Sequence, residues 1–339
     1  MRAGMVGLAA LYWPVAIGNG LKSSEGVEFL GAATLGESEA AIRGTLGMSP
    51  DEYAGKYGVN LYEQAEQMIE EERLDTVVLI SRHSEHAVWA ERMAQLGVDI
   101  FIPKTFATTL EDAERIVNAQ KRYGVKIAVG PSARYLPAMR AVKQGVDDGL
   151  IGKPFALRIC HHHGTIDGFH TEDWYRDPRE GGPELSLGWY GIDLILHLMQ
   201  DQVRRVAAEY GNFTTPDSPF MDCGRITLRM AGGGIGSFDM YFCNRIPYPS
   251  WQLEIVGPGG VITIHRIGNG AQDTVVSIEN EDGYRQAPLP TGGPHWEIAW
   301  VDEFKEGRDP EVSAEVAGLI TRLSLAARES ARQGCSIAV

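Results

Sequence analysis

Short apolar runs alternate with amphipathic segments over the first 130 residues, and this alternation limits the possible folds most strongly. The strand-like runs are Met5–Ala10, Val27–Thr34, Thr76–Ile80, Ile100–Ile102 and Val125–Val129. Between them lie helix-like segments at Pro14–Leu21, Tyr53–Tyr57, Leu61–Glu72 and Glu85–Leu96. Strands that alternate with helices at this spacing favour a parallel sheet wound on both faces. The pattern therefore predicts an α/β domain of the Rossmann type over residues 1–130.

The pattern changes after residue 130, where strands follow one another without intervening helices. The strand-like runs there are Phe155–His163, Arg225–Met230, Ile235–Phe242, Gln252–Val256, Val261–His265 and Thr274–Ile278. Helices are predicted at Tyr135–Gly149, Leu185–Met199, His295–Glu306 and Ala314–Gln333. Consecutive strands favour antiparallel pairing. Residues 131–339 are therefore predicted to form an α+β domain with an open, largely antiparallel sheet.

Composition excludes several classes of partner. The net charge of −14 argues against binding to nucleic acid or to an anionic membrane. The four cysteines form no C-x-x-C motif, which favours reduced thiols over a disulfide framework or a zinc site. No apolar run is long enough to span a bilayer, and the N-terminal segment lacks a signal-peptide pattern. We expect a cytoplasmic protein.

Lys104 stands where a parallel sheet binds its ligands. The run Ile100–Ile102 ends at Pro103, which has no backbone donor. Thr108 and Glu111 have the spacing of a capping box, so the next helix is predicted to begin there. Lys104 lies between strand and helix, beyond the carboxyl end of the strand, where ligands bind in open α/β sheets. This position predicts a cation at the mouth of a cleft.

The turn after the first strand carries an incomplete dinucleotide fingerprint. Gly7, Ala9 and Tyr12 occupy the three glycine positions of G-x-G-x-x-G. The glycines of that motif let the backbone approach a pyrophosphate at a helix N-terminus. Side chains at the last two positions would crowd this approach. A cofactor is therefore predicted to bind more weakly here than to a complete motif.

The end of the second strand does not identify the cofactor. An acid usually holds the ribose 2′-hydroxyl there, but this chain has Ala33 and Thr34. Glu37 is the nearest acid, a little further along the chain. Arg43 is a candidate for a 2′-phosphate or simply a surface arginine. The sequence thus leaves the choice between NAD and NADP open.

A series of short motifs carries a family resemblance over nearly the whole chain. The motifs are Ser81-Arg82-His83-Ser84-Glu85-His86, Pro103-Lys104-Thr105, Arg134-Tyr135-Leu136-Pro137, Gly149-Leu150-Ile151-Gly152-Lys153-Pro154, Trp174-Tyr175-Arg176-Asp177-Pro178 with Gly181-Gly182, Glu254-Ile255-Val256-Gly257-Pro258-Gly259-Gly260, and Ser330-Ala331-Arg332-Gln333-Gly334. In this order and spacing the chain resembles the Gfo/Idh/MocA family of sugar and cyclitol oxidoreductases. Two residues depart from that family's E-K-P motif, with Pro103 at the glutamate and Thr105 at the proline.

The resemblance implies a cofactor, a substrate class and an assembly. The cofactor would be NAD or NADP, and the substrate a small carbohydrate. The residues implied in cofactor binding are Gly7, Ala9, Tyr12, Thr34, Ser81, His83, His86 and Lys104. Members of this family commonly pair through the open sheet, so a homodimer or homotetramer is expected.

Tyr190 is the acid/base candidate that the resemblance implies. The family usually has D-x-x-x-H-x-x-D here, and this chain places Ser186, Tyr190 and Asp193 at those positions. Some members use a tyrosine as the acid/base at the histidine position. Tyr190 and Asp193 lie three residues apart on a predicted helix and share a face. An ammonium group near a tyrosine lowers its pKa from about 10, so Lys104 and Tyr190 are predicted to transfer the proton together, with Asp193 as the third catalytic residue.

Three consecutive histidines suggest either a metal site or a sugar-binding strand. His161 and His163 would share one face of a strand and His162 the other. Two imidazoles without a partnering acid form an incomplete metal site, and the family needs no metal. We therefore favour substrate binding and predict no metal. The full set implied in substrate binding is Lys104, Arg134, His161, His163, Trp174, Arg176 and Tyr190.

The leading functional hypothesis is an NAD(P)-dependent dehydrogenase or reductase that acts on a sugar, a sugar derivative or a cyclitol. One alternative is a glycoside-cleaving enzyme that oxidises its substrate transiently, eliminates a group and returns the hydride to the product. Another is a non-catalytic sugar-binding or regulatory relative, consistent with the incomplete fingerprint. Net turnover of free cofactor separates the first two, and sugar binding without cofactor binding would indicate the third.

Overall fold

The structure, a computed structural model, describes residues 1–164, 176–216, 218–243, 250–267, 274–292 and 295–339. The chain forms two compact units. The first comprises Met1–Ser132 and Pro294–Thr321, and the second comprises Ala133–Gly293 and Arg322–Val339. The sequence predicted one division of the chain, between residues 130 and 131. It did not predict that Pro294–Thr321 would belong to the first unit.

The first unit contains a six-stranded parallel sheet. Its strands are β1 (Arg2–Val6), β2 (Glu28–Ala33), β3 (Asn60–Tyr62), β4 (Thr76–Leu79), β5 (Asp99–Pro103) and β6 (Ile127–Gly130). Their order is β3-β2-β1-β4-β5-β6, and every neighbouring pair is parallel. All residues of β4 and β6 are buried, as expected for strands covered on both faces. The predicted doubly wound sheet is confirmed.

Six helices connect these strands. They are α1 (Trp13–Ser23), α2 (Glu39–Leu46), α3 (Pro50–Tyr57), α4 (Ala65–Glu72), α5 (His86–Gln95) and α6 (Leu110–Tyr123). Glycines in the left-handed conformation end α2, α3 and α6. Such residues close a helix because they carry no Cβ to clash with the preceding turn.

Three local predictions in this unit were wrong in detail. The predicted first strand, Met5–Ala10, lies at Arg2–Val6, because Gly7 turns the chain with φ +99°. The predicted helix Leu61–Glu72 contains the short strand β3 at its start, since three residues are too few to reveal an alternating pattern. Helix α6 is capped by Thr109, whose hydroxyl accepts from the amide of Asp112, and not by Thr108.

The second unit contains a nine-stranded sheet. Its strands are β7 (Ala156–His162), β8 (Val203–Gly211), β9 (Cys223–Met230), β10 (Ile235–Tyr241), β11 (Trp251–Gly257), β12 (Gly260–Ile267), β13 (Val275–Asn280), β14 (Gly283–Ala287) and β15 (Ile337–Ala338). The order is β14-β13-β12-β11-β7-β10-β9-β8-β15. Among the described strands of this second sheet, only β7 and β10 pair in parallel. This confirms the largely antiparallel sheet.

Helices α7 (Pro137–Asp147) and α8 (Gly182–Met199) pack on this sheet. Helix α8 is buried along nearly its whole length and approaches β10 closely, because glycines face large side chains across the contact. A Cβ on Gly191 would lie 2.0 Å from the Phe238 ring, and one on Gly236 would lie 2.4 Å from Ile195. The chain then continues through α9 (Ala299–Lys305) and α10 (Ala314–Gln333).

Strands β8, β14 and β15 were not predicted. In β8 only Val206 and Ala208 are buried, so the apolar signal is sparse. Strand β14 is almost wholly polar or exposed, and β15 has only two residues. Strands β14 and β15 are the two edges of the sheet and β8 is the neighbour of β15; all three are recognisable by their pairing and not by their composition. No helix in the described part of the chain has both the length and the apolar character needed to cross a membrane.

Candidate cofactor cleft and substrate pocket

A cleft of about 170 Å³, open to solvent, lies at the carboxyl ends of β1, β2 and β4. Gly7–Ala10 form one wall, Leu35 and Glu37 follow β2, and Ile80–Arg82 follow β4. Strand β1 lies between β2 and β4 in the sheet. From β1 the chain first adds β2 and β3 on one side of the sheet, and it then crosses to add β4 on the other side of β1. Ligands of doubly wound sheets bind where the strand order reverses in this way.

Gly7 is fixed by the tight packing of the turn. Its φ is +99°, and a Cβ there would lie 1.8 Å from the carbonyl oxygen of Ile80. No other residue fits without moving β4. Ala9 lines the cleft, whereas Tyr12 is 41% exposed and packs against Trp13, with the two ring centres 4.5 Å apart and the rings tilted by 33°. The crowding expected from Tyr12 is therefore not seen in the cleft lining.

The other predicted cofactor residues divide into two groups. Ser81 lines the cleft and also a smaller cavity of about 10 Å³, room for about one water molecule, that His83, His86 and Lys104 line as well. Thr34 lines neither cavity, and its amide and hydroxyl both donate to the carbonyl of Tyr62. Thr34 thus joins β2 to β3.

Lys104 is the buried cation of the smaller cavity. It is 8% exposed, and burial lowers the pKa of its ammonium group to about 7. Its Nζ lies 5.8 Å from the ring centre of Trp13, which also lines this cavity. A lysine with this pKa can change its charge near neutral pH, which is the range in which a proton-transfer group operates.

His86 supports the turn that carries Lys104. Its Nδ1 lies 3.2 Å from the carbonyl oxygen of Phe106, and because a carbonyl can only accept, Nδ1 is the protonated nitrogen. Burial, with His83 nearby, lowers the pKa of His86 to about 4. His86 is therefore neutral at pH 7. The turn also buries the hydroxyl of Thr105, which has no hydrogen-bond partner among the described residues.

Two leucines beside these cavities adopt the left-handed conformation. Leu35, in the cleft, has φ 57°, and Leu11, in the smaller cavity, has φ 58°. For a residue with a Cβ this conformation costs about 1–2 kcal/mol. Such strain concentrates at ligand-binding sites, where the surrounding structure holds it in place.

Helix α8 carries the predicted acid/base of the second unit. Tyr190 is 4% exposed, and its ring lies edge-on to His161 at 6.0 Å and to Trp251 at 5.9 Å. His161 stacks flat on Trp251 with ring centres 3.8 Å apart. Nδ1 of His161 lies 2.7 Å from the carbonyl oxygen of Ser250, and since a carbonyl can only accept, Nδ1 donates to it.

Asp193 lies one turn beyond Tyr190 and is fully buried. Arg134, also predicted from the resemblance, donates to its Oδ1 from Nε at 2.9 Å and from Nη2 at 2.5 Å. The carboxylate therefore stands in a compensated ion pair. This geometry favours a positioning role for Asp193 over direct proton transfer. Ser186 is also buried on α8.

The remaining histidines face two sides of β7. The rings of His161 and His163 lie 5.4 Å apart, whereas His162 stacks on Tyr241 and has Nε2 3.2 Å from the thiol of Cys160. This agrees with the predicted alternation. No group of three His, Cys, Asp or Glu side chains in the described ranges is arranged to hold a metal ion.

Of the two remaining predicted substrate residues, the structure describes one. Trp174 lies outside the described residues. Arg176 is exposed, just before the short 3-10 turn Pro178–Glu180. The pairing of Lys104 with Tyr190, which belong to different units, stays a prediction.

Sequence reasoning missed three aromatic or charged residues of these sites. Arg82 lines the cleft, Trp13 lines the cavity of Lys104, and Trp251 stacks on His161. For Arg82 a signal was available, because it follows the buried run Thr76–Ile80 directly. Trp251 is placed by its register opposite His161, which no local pattern reveals.

Comparisons with known proteins agree with this architecture. Residues 1–131 match the model of an oxidoreductase family with an NAD-binding Rossmann fold, and residues 139–263 match the GFO/IDH/MocA C-terminal domain. D-apiose dehydrogenase of Paraburkholderia graminis is 28% identical over 291 residues, covering 79% of this chain and 75% of that protein. Myo-inositol 2-dehydrogenase of Thermotoga maritima is 24% identical and covers 83% and 85%.

A solved structure has the same fold over the full length. The aldose-aldose oxidoreductase of Caulobacter crescentus, complexed with glycerol, superposes with a TM-score of 0.84 at 19% identity and covers 100% of this chain and 99% of that one. The two family models together span most of the sequence, in the order of the two structural units. The chain belongs to the Gfo/Idh/MocA family of oxidoreductases, with an NAD-binding Rossmann domain followed by the family's C-terminal domain.

Proposed function

We propose that this protein is an NAD-dependent oxidoreductase that interconverts a hydroxyl and a carbonyl group on a sugar or cyclitol. The observation that carries the proposal is the cleft at the reversal of the parallel sheet, adjoined by a cavity with the buried Lys104. The relatives named D-apiose dehydrogenase and myo-inositol 2-dehydrogenase support this class of substrate.

The residues of the cleft fit a dinucleotide. Gly7 permits a turn that a side chain would block, and Ala9 and Ala10 add only methyl groups to the wall. The adjoining cavity contains Trp13, whose buried indole nitrogen has no partner among the described residues. The chemistry supplied by a bound nicotinamide is the acceptance or return of a hydride at its pyridine ring.

Charge in the cleft favours NAD over NADP. Glu37 and Glu85 place two carboxylates in the lining, against the single guanidinium of Arg82. Arg43 bonds Glu39 and Glu52 at 3.0 Å each and is thus already paired. A 2′-phosphate near Glu37 would meet a like charge, whereas a ribose diol could donate to it.

Tyr190 moves the proton in this proposal. As the phenolate it accepts the hydroxyl proton when the substrate is oxidised, and as the phenol it donates that proton when the carbonyl form is reduced. The stacked pair of His161 and Trp251 fixes the wall beside the phenol. His161 and His163 supply polar ring atoms that suit the hydroxyl groups of a polyol.

Two measurements test the proposal. Mass analysis of nucleotide released from the denatured protein, with calorimetric titration of NAD, NADH, NADP and NADPH, shows whether a cofactor binds. Absorbance assays with inositols, aldoses and their keto forms then show whether free NADH is formed or consumed. Absence of binding by all four cofactors would contradict the proposal and favour a sugar-binding relative. Tight NAD without net NADH turnover would instead indicate transient oxidation.

We also propose that the protein is a homodimer or homotetramer. The family resemblance supports this assembly. Light scattering on the purified protein measures its mass in solution, and a monomer at micromolar concentration would contradict it.

A further inference from the structure

Trp89 is the one aromatic side chain among the described residues that line the cleft at the ends of β1, β2 and β4. It lies in the first turn of α5, the helix that follows β4, and it is half-buried. The role of this residue in the cleft has no account in the sites described above. A large aromatic ring that stays partly open at a ligand cleft offers a flat apolar surface, which suits a flat ring of the ligand.

The indole ring of Trp89 is held in place by two successive contacts. The guanidinium carbon of Arg92 lies 4.4 Å from the centre of the ring, a cation–π contact. Arg92 in turn forms an ion pair with Glu66 on α4. Because the guanidinium covers one face of the indole, the cleft meets the remaining surface of the ring. Trp89 is therefore positioned by the protein itself, which reduces the entropy that its side chain loses when a ligand binds.

The size and the lining of the cleft indicate which part of a dinucleotide meets Trp89. The cavity beside Lys104 has room for about one water molecule, whereas the cleft measures about 170 Å³. Of these two spaces, the cleft is the one that can take a nucleobase. It also contains Glu37, which follows β2, where the adenosine ribose of a dinucleotide binds. The base attached to that ribose is adenine.

We propose that the adenine ring of the cofactor packs against the indole of Trp89, an inference that rests on the proposed function. Leu35 gives the same cleft an apolar side chain after β2, while Trp89 comes from the helix after β4, on the other side of β1. An aromatic ring binds a base through its flat face. Trp89 therefore contributes affinity for the adenosine half and does not distinguish the oxidised from the reduced nicotinamide.

Titration calorimetry with NAD, NADH and ADP-ribose tests this role without any turnover. Trp89→Ala is expected to lower the affinity for all three by the same factor, about 5- to 150-fold, the range for replacing an aromatic ring beneath a base. Trp89→Phe keeps a flat ring and is expected to lose less than about threefold. Val88→Ala is the matched control with unchanged affinities, because Val88 is exposed on the same helix and lies outside the cleft lining.

Tryptophan fluorescence gives a readout that a merely structural role would not move. A base stacked on an indole quenches its emission, and ADP-ribose carries adenine but no nicotinamide. Saturating ADP-ribose is therefore expected to quench wild type by a component that Trp89→Phe lacks. An equal absolute change of emission in the two proteins would mean that the adenine does not touch Trp89, and the proposal would be wrong. This comparison decides the question even if Trp89→Ala does not fold.

Two results of the calorimetry also overturn the role of Trp89. One is a loss of less than about twofold for ADP-ribose in Trp89→Ala. The other is a loss confined to NAD and NADH, which would place Trp89 at the nicotinamide. If wild-type protein binds neither ADP-ribose nor any of the four nicotinamide cofactors, the proposed function fails and this inference with it. If wild type binds them and the variants behave like wild type, only the role of Trp89 is wrong.

Discussion

Two buried cations, one in each unit, are held in different ways. Lys104 lies beside the cofactor cleft, and burial lowers the pKa of its ammonium group to about 7. Arg134 lies against α8 and donates from two nitrogens to the fully buried carboxylate of Asp193. The ammonium group of Lys104 can thus gain or lose its proton near neutral pH, whereas the guanidinium group of Arg134 is fixed in an ion pair. The difference separates a group suited to chemistry from a group suited to positioning.

The largest effect is expected at Tyr190, which lies one helical turn before Asp193 on α8. Tyr190→Phe removes the phenol oxygen and keeps the ring, so the rate is expected to fall by ~10²–10⁴-fold, the usual share of a general acid/base. The measurement is the rate against pH on a substrate found by the sugar screen. Tyr241→Phe is the matched control, because Tyr241 stacks on His162 away from this cluster. Full activity in Tyr190→Phe would exclude it as the acid/base.

Breaking the fixed pair should destabilise the fold. Asp193→Ala leaves the guanidinium of Arg134 buried without its carboxylate, and the free energy of unfolding is expected to fall by about 3–5 kcal/mol in urea titrations. The double variant Arg134→Met with Asp193→Leu removes both charges and is expected to recover much of that loss. If Asp193→Ala has the same free energy of unfolding as wild type, the ion pair contributes little to the stability of the packing around α8.

Lys104→Met should have the opposite effect on stability, and the effect should depend on pH. The pKa of Lys104 is lower in the folded chain, about 7, than its ordinary value of 10.5, so the unfolded chain binds more protons between these two values. Wild-type stability therefore rises over this window. The variant lacks this penalty and should be more stable than wild type at pH 6, by a few kcal/mol at most, with the difference shrinking towards pH 10.

Urea titrations of Lys104→Met at pH 6, 8 and 9.5 measure this difference. Lys153→Met controls for the loss of one exposed positive charge. If Lys104→Met is less stable than wild type at pH 6, neighbouring groups compensate the burial of the Lys104 ammonium group. Lys104 would then be stabilised by its partners as Arg134 is, and the contrast between the two cations would be wrong.

The smallest effect is expected at the rim of the cleft. Glu37→Gln removes one carboxylate from the lining, and the preference for NAD over NADP is expected to fall by about tenfold in calorimetric affinities. Glu39→Gln is the control, because Glu39 pairs with Arg43 and lies outside the cleft lining. Equal shifts in both variants would show a general change of surface charge instead of recognition at Glu37.

The sequence predicted the parts of this molecule that depend on local patterns. The buried runs of β4 and β5 and the position of Lys104 after Pro103 follow from hydrophobicity and turn chemistry. The stack of Trp251 on His161 does not, because it depends on the register between β11 and β7. Trp13 likewise reads as one more buried aromatic residue until the fold places it in the wall of the cavity beside Lys104. Edge strands such as β14 bury too little to show a pattern.

Among the described strands of the second sheet, the one parallel pair has a consequence for how the proposed substrate pocket around Tyr190 and His161 is made. Strands β7 and β10 are neighbours in space, but α8, β8 and β9 lie between them in the chain. A parallel pair requires such a crossover, and contacts between residues distant in sequence form slowly. His161 lies on β7, and Tyr190 lies on the helix that the crossover contains. The two rings therefore meet only when the crossover closes, so we expect the pocket to be among the last parts of this unit to assemble during folding.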